Sequence, residues 1–233
     1  MKHIVGLSGG KDSTAMALRL VEVEPRNYEF ICNETGDELP EMQEHWVKLE
    51  TMLGQKLIRV RHTRDLNAEI EFQKMLPSVF ARWCTRILKI EPTIAYMEAL
   101  HDDSTLYVGL RADEEMRRGL YGEDITVDFP MRRWGWSLDD VVSYLDKRGI
   151  CIPARTDCAR CPYQRLGEWR DLYQKHPTIY MHAVKQEKAI GATFRSPGRD
   201  TWPADLESLA KEFDSCRPLR QYSRATTCRV CSL

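Results

Sequence analysis

Ser8-Gly9-Gly10-Lys11-Asp12-Ser13 puts two glycines, a lysine, a carboxylate and two hydroxyls into six residues, directly after the apolar run Ile4–Leu7. Those residue types can hold a polyphosphate. Glycines let the backbone turn with no Cβ in the way, so that successive N–H groups face phosphate oxygens. Asp12 and Ser13 suit the start of a helix, whose free N–H groups and partial positive charge also favour anions. Lys11 adds a full charge. A Walker A loop requires Gly at position 5 and Ser or Thr at position 12, where this chain has Val5 and Asp12, so the loop is of another kind.

A second chemical run is Arg82-Trp83-Cys84-Thr85-Arg86-Ile87-Leu88-Lys89. Thr85 can cap a following helix, which sets Cys84 beside a helix N-terminus and between two arginines. Both surroundings favour the thiolate. Arg86 and Lys89, three apart on one helical face, can grip an anion together. Two Cys-x-x-Cys knuckles follow, Cys158/Cys161 and Cys228/Cys231. As one Cys₄ zinc site they are separated by 66 residues, against ~15–20 in common zinc folds. With Cys84 there are five thiols for four positions. A 4Fe–4S cluster on Cys84, Cys158, Cys161 and one tail cysteine, Cys231 in preference to Cys228, is the expected centre, with zinc as the alternative. Cys32, Cys151 and Cys216 read as ordinary small apolar residues.

The elements that position these groups alternate as a parallel sheet with crossover helices requires. Strands are expected at Ile4–Leu7, Tyr28–Cys32, Lys56–Val60 and Thr105–Val108, with a further one at Ile125–Phe129. Helices are expected over Ser13–Val23, which is apolar nearly all round, and over Pro40–Leu53, closed by Gly54. Others are expected at Leu66–Met75 and at Thr85–Leu100, the latter broken or kinked at Pro92. Later helices fall at Ser137–Lys147, Glu168–Tyr173, Thr178–Ile190 and Ala204–Phe213. In open α/β sheets ligands bind beyond the carboxyl ends of the strands. That rim holds Ser8–Ser13, Glu34-Thr35-Gly36-Asp37 and Gly109-Leu110-Arg111, with Asp12 and Asp37 as candidate Mg²⁺ ligands.

The 233 residues, 42% apolar and 30% charged, suit one sizeable α/β core with a small appendage. No stretch approaches the ~20 apolar residues of a membrane span, and no signal peptide is evident, so a cytoplasmic location is expected. The net charge of −1 conceals +5 over residues 151–233 and −6 over residues 1–150. The basic part favours an anionic partner, either a nucleic acid or a small phosphorylated or sulfated substrate. The expected organisation is an ATP-binding α/β domain over 1–150 and a cysteine-rich region over 151–233. The latter looks too small and polar to fold without a metal.

The hexapeptide resembles the PP-loop of the ATP pyrophosphatases. The chain as a whole is similar to the phosphoadenosine phosphosulfate (PAPS) reductase-like family within that superfamily. Ser8–Ser13, Glu34–Glu38, Arg82–Lys89, Gly109–Glu114, Phe129-Pro130 with Trp134-Gly135-Trp136, and Cys158–Tyr163 with Glu168-Trp169 carry the likeness, in order. The resemblance implies a Rossmann-like parallel sheet of the adenine nucleotide alpha hydrolase type and, in relatives with such cysteines, an iron–sulfur centre. PAPS reductases usually lack the intact loop and carry their nucleophile in a Glu-Cys-Gly tail motif absent here. The likeness is closer to sulfur-inserting relatives that act on nucleic acid. The expected function is therefore ATP-dependent sulfur transfer with Mg²⁺. Its nucleotide site comprises Ser8, Gly9, Gly10, Lys11, Asp12, Ser13, Thr35, Gly36, Asp37, Lys89 and Gly109, and its catalytic groups are Lys11, Asp12, Arg86 and Arg111. A sulfur or electron donor protein and an oligomer fit this reading. The alternatives are a sulfonucleotide reductase and a nucleotide-binding partner subunit with a structural zinc.

Overall fold

Strand, glycine turn, helix is the unit from which the first half is built. The computed structural model describes residues 1–100, 103–117, 119, 121, 122 and 124–219. Five parallel strands, β1 (Lys2–Gly6), β2 (Tyr28–Asn33), β3 (Ile58–Val60), β4 (Ser104–Tyr107) and β5 (Thr126–Asp128), form one sheet in the order β3-β2-β1-β4-β5. This is the α/β, Rossmann-like class expected from the sequence. The order reverses at the β1/β4 pair, the switch point at which such sheets bind ligands. Side chains alternate across it. Val5, Phe30 and Cys32 face one core with α1 (Lys11–Val23) and α2 (Pro40–Leu53), whereas Ile4, Ile31 and Leu106 face another. Burial on both faces explains why Ile4–Val5 of β1 and Phe30–Cys32 of β2 are apolar side by side.

The chain divides into two compact units. The first takes in residues 1–63 and 85–157 and contains the sheet. The second combines residues 64–84 with residues 158–219 among the described residues. Within the second unit lie α3 (Leu66–Gln73), α8 (Leu166–Lys175), α9 (Pro177–Ile190) and α10 (Leu206–Asp214). This unit has an aromatic core. Trp169, Tyr180 and Phe194 are fully buried. Ring centroids lie 6.1 Å apart for Trp169–Phe194 and 5.1 Å for Tyr173–Tyr180. The apolar residues are few but large, and they recur at helical spacing.

Glu187 ties this core to two chain turns, accepting from the Phe194 amide at 2.8 Å and the Leu206 amide at 2.7 Å. Burial pushes its pKa up to about 7, against the pull of the two amides. A carboxyl whose pKa is raised on folding binds its proton more tightly in the native state. Its contribution to stability is therefore full below the ordinary value of 4.5 and is lost as pH rises towards 7. In Glu187→Gln an NH₂ must face one of two amide donors. The variant should lose about 1–3 kcal/mol, read as the urea midpoint at pH 5, and should lack the wild-type decline between pH 5 and 8. An unaltered midpoint would contradict this role.

Local differences from the sequence reading have simple causes. The run expected as one helix from Thr85 starts earlier, as α4 (Trp83–Thr85). It then widens to a π-turn over Arg86–Ile90 before α5 (Glu91–Glu98). Pro92 has no N–H to give, and the Glu91 amide bonds back to the Arg86 carbonyl, so the chain stays helical with a wider turn instead of breaking. Thr85 has helical dihedrals and is not a cap. Val21 and Val23 of α1 are exposed, so that helix is not buried all round. A short α6 (Pro130–Arg133) precedes α7 (Leu138–Lys147), which starts at Ser137 with its capping box to Asp140. No helix among the described residues is long and apolar enough to cross a membrane.

Candidate nucleotide site and cysteine centre

Leaving β1, the chain turns at Gly9 with φ +87°, a conformation suited to glycine. A Cβ there would collide with Met42 Cε and come within 2.9 Å of Trp46 Nε1. The α1 helix starts at Lys11 with Gly10 as an N-cap that has no capping side chain, and Thr14 N–H makes the first helical bond, to Gly10 O. The amides of the first turn are thus left to an external acceptor. The serine hydroxyls serve the two preceding amides. Gly9 N–H donates to Ser13 Oγ at 3.2 Å and Gly10 N–H to Ser8 Oγ at 3.4 Å, and the two hydroxyls lie 3.0 Å apart. A Cβ on Gly109 would lie 3.2 Å from the Ser13 Cα and N, so the exit of β4 packs directly on this first turn.

Asp12 is the electrostatic centre of the loop. Its Oδ2 lies 3.0 Å from Lys11 Nζ and 3.0 Å from Arg111 Nη1. Its Oδ1 is buried with no hydrogen-bond partner among the described residues. Arg111 is itself buried and also pairs with Asp113 at 2.8 Å and Glu114 at 3.6 Å. Burial opposes its charge, but Asp113, Asp12 and Glu114 outweigh it and hold the guanidinium pKa above its ordinary value. This engagement suits Arg111 to holding Asp12.

Beyond β2, Glu38 closes the Thr35–Asp37 loop. Its carboxylate accepts from Thr35 N–H at 2.8 Å, Thr35 Oγ1–H at 2.6 Å and Gly36 N–H at 3.0 Å. Thr35 and Asp37 are buried. Asn33 Nδ2 donates to the Lys89 carbonyl at 3.1 Å and Thr93 Oγ1 at 3.0 Å, which joins the π-turn to the end of β2. Arg86 is exposed and pairs with Glu91 at 3.5 Å. The wider turn takes Arg86 and Lys89 off the shared α-helical face expected for them. The structure thus gathers Ser8–Ser13, Gly109 and Arg111 closely. It sets Thr35–Asp37 and the Lys89 backbone at the neighbouring strand end, and leaves Arg86 in solvent. Sequence reasoning missed Met42, His45 and Trp46 on α2 and Glu38 as the internal partner of its loop. The i, i+3, i+4 spacing on α2 was the available signal.

The first knuckle is a closed turn, with Cys161 N–H bonded to Cys158 O at 3.1 Å. Arg160 inside it is buried and donates to Asn67 at 2.7 Å and to Gln186, with His182 Nδ1 at 3.1 Å. Tyr163 donates to Val79 O at 3.3 Å and lies under the Arg82 guanidinium, 5.4 Å from the ring centroid. The segment leading to Cys84 and the end of the knuckle are therefore neighbours in the second unit. Among the described residues no set of three or more His, Cys, Asp or Glu side chains is gathered to hold a metal. Cys228 and the expected fourth ligand Cys231 lie outside the described residues, as do Arg220, Arg224 and Arg229. The donor chemistry fits: three thiols in one unit, two on one turn, are soft ligands suited to iron–sulfur or zinc. Cys32 is buried and its thiol is pushed up to about 12, which makes it inert. Cys151 and Cys216 are exposed, unlike the small apolar residues they were expected to be.

A parallel sheet of this order, with a glycine loop and an uncapped helix start at its switch point, defines an α/β, Rossmann-like protein. The chain belongs to the phosphoadenosine phosphosulfate reductase domain family, which it matches over residues 2–171. An uncharacterized protein of Methanocaldococcus jannaschii is 25% identical over 194 residues, 76% of this chain and 39% of that protein. The chain thus spans about two fifths of the length of that curated relative. Among solved structures, the U34-tRNA thiolase NcsA from Methanococcus maripaludis with its 4Fe-4S cluster is similar at 18% identity and a TM-score of 0.48, over 88% of this chain and 77% of that one. A predicted subunit of tRNA methyltransferase from Methanocaldococcus jannaschii gives 18% and 0.35, over 64% and 89%.

Proposed function

We propose that this protein is an ATP-dependent sulfur-transfer enzyme that adenylates an oxygen of a nucleic acid or nucleotide and exchanges it for sulfur. The observation that carries the reading is the loop. An uncapped helix start, Lys11 and the half-satisfied carboxylate of Asp12 converge where a polyphosphate and its cation fit. A substrate carbonyl oxygen attacks the α-phosphorus, and the bond to the bridging oxygen breaks to release pyrophosphate. A sulfide equivalent from a donor protein then displaces AMP, which leaves with the former carbonyl oxygen. Lys11 and the first-turn amides stabilise charge on the departing pyrophosphate. Asp12, whose Oδ1 is unpartnered among the described residues, and Asp37 would hold Mg²⁺, which when bound would supply positive charge to the phosphates. Arg111 holds Asp12 in place through its 3.0 Å ion pair.

Cys84, Cys158 and Cys161, with Cys231, would hold a 4Fe–4S cluster; it would supply a sulfur-binding iron where the Cys231 thiolate leaves to make room for sulfide. The basic balance of residues 151–233 supports a nucleic-acid acceptor, tRNA or DNA. Incubation with ATP and the acceptor should give AMP and pyrophosphate; ADP and phosphate would overturn the reading. The family match favours a second reading, reduction of a sulfonucleotide. Preferential binding of PAPS over ATP in competition would select it.

A further inference from the structure

The α2 helix, which the sequence offers only as a crossover, grips the loop. Met42, His45, Trp46 and Leu49 fall at i, i+3, i+4 and i+7, and all four are buried. Trp46 Nε1–H donates to Ser8 O at 3.0 Å. The His45 ring faces the Gly9 backbone, which draws its pKa up against the larger, lowering effect of burial. Gly9 N–H is committed to Ser13 Oγ, so the group His45 faces is the Gly9 carbonyl. Its Nε2 is buried with no partner among the described residues, which leaves Nδ1 on the side of that carbonyl. Two consecutive residues of one helix thus face two consecutive loop carbonyls, Trp46 with a hydrogen bond at 3.0 Å.

A trans peptide is planar, so fixing its C=O turns the following N–H to the opposite side. With Ser8 O and Gly9 O drawn to α2, the amides of Gly9 and Gly10 must face away from it, where the Ser8 and Ser13 hydroxyls accept them. The grip is itself braced. The Arg59 guanidinium, on the strand β3, stacks on the Trp46 ring at 4.4 Å and lies 3.5 Å from Glu50.

We propose that His45 and Trp46 are positioning residues of the nucleotide site: through the Gly9 and Ser8 carbonyls they hold the loop amides turned toward the polyphosphate. The identity of that ligand rests on the ATP reading above; the grip does not.

The test uses the full chain with three substitutions. His45→Leu removes the donor at similar volume, His45→Asn restores one near the Nδ1 position, and Trp46→Phe removes the indole N–H. Hydrogen exchange of loop amides is measured without nucleotide, and the Kd for Mg-ATP separately. His45→Leu and Trp46→Phe should each speed loop exchange and weaken ATP binding about tenfold, the worth of one such bond. His45→Asn should stay within about twofold of wild type, since one donor replaces another. Unchanged loop exchange in His45→Leu and Trp46→Phe would overturn the proposal. So would a rise spread evenly over β1 and β2, or an Asn variant that behaves like Leu. If His45→Leu does not fold, Trp46→Phe and His45→Asn decide between these outcomes. If wild type does not bind ATP while loop exchange still responds, the nucleotide reading falls and the grip stands.

Discussion

Lys11→Ala is expected to lower AMP and pyrophosphate formation by about two to three orders of magnitude while the melting temperature stays within about 2 °C of wild type. The two effects separate because the residue has little structural role. Its ammonium is partly exposed, and its one described ion pair is with Asp12 at 3.0 Å. A pair of that kind is worth about 0–1 kcal/mol, and Asp12 keeps Arg111 when the lysine is gone. In the reaction the same ammonium faces charge that builds up on the departing pyrophosphate. Removing a preorganised donor from such charge costs about 3–4 kcal/mol, which sets the expected drop. Enzymatic product assay and calorimetry on one preparation check both halves. A large loss of stability with turnover retained would make the loop a structural turn.

The sheet was legible because its signal is local. Ile4–Leu7, Tyr28–Cys32 and Thr105–Val108 are short apolar runs, each ended by a glycine or a polar residue, and burial on both faces leaves them little freedom to be anything else. The loop was legible for the same reason. Its two glycines, its lysine and the helix start are contiguous, so order along the chain is order in space. What escaped is non-local. Periodicity identifies α2 and its buried face but not that His45 and Trp46 on that face meet two loop carbonyls. Residues 64–84 belong with residues 158–219, a pairing that no local pattern encodes. Arg160 sits between two cysteines as an apparent spacer. Arginine is rarely buried, so nothing in the chain marks it as the anchor it becomes against Asn67 and Gln186.

Single serine substitutions at Cys84, Cys158 and Cys161 are expected each to abolish one shared metal centre, since a cluster or a zinc ion with three protein ligands left is weakly held. The sequence argument is count and chemistry. The structural support is that all three lie in the second unit, Cys158 and Cys161 on one closed turn. Arg82 on Tyr163 joins the segments that carry Cys84 and the knuckle. The protein purified without oxygen should be brown, with iron and acid-labile sulfide near four of each per chain for a cubane. Each of the three variants should be colourless and should bind no iron. Because Trp169, Tyr180 and Phe194 give this unit a core of their own, the variants should remain folded by circular dichroism, which separates loss of the centre from loss of the unit. Cys231→Ser should also bleach the protein, and Cys228→Ser should not. Bleaching by Cys228→Ser alone would exchange those two roles, whereas a colourless wild type with one zinc per chain and full activity would replace the cluster by a structural site.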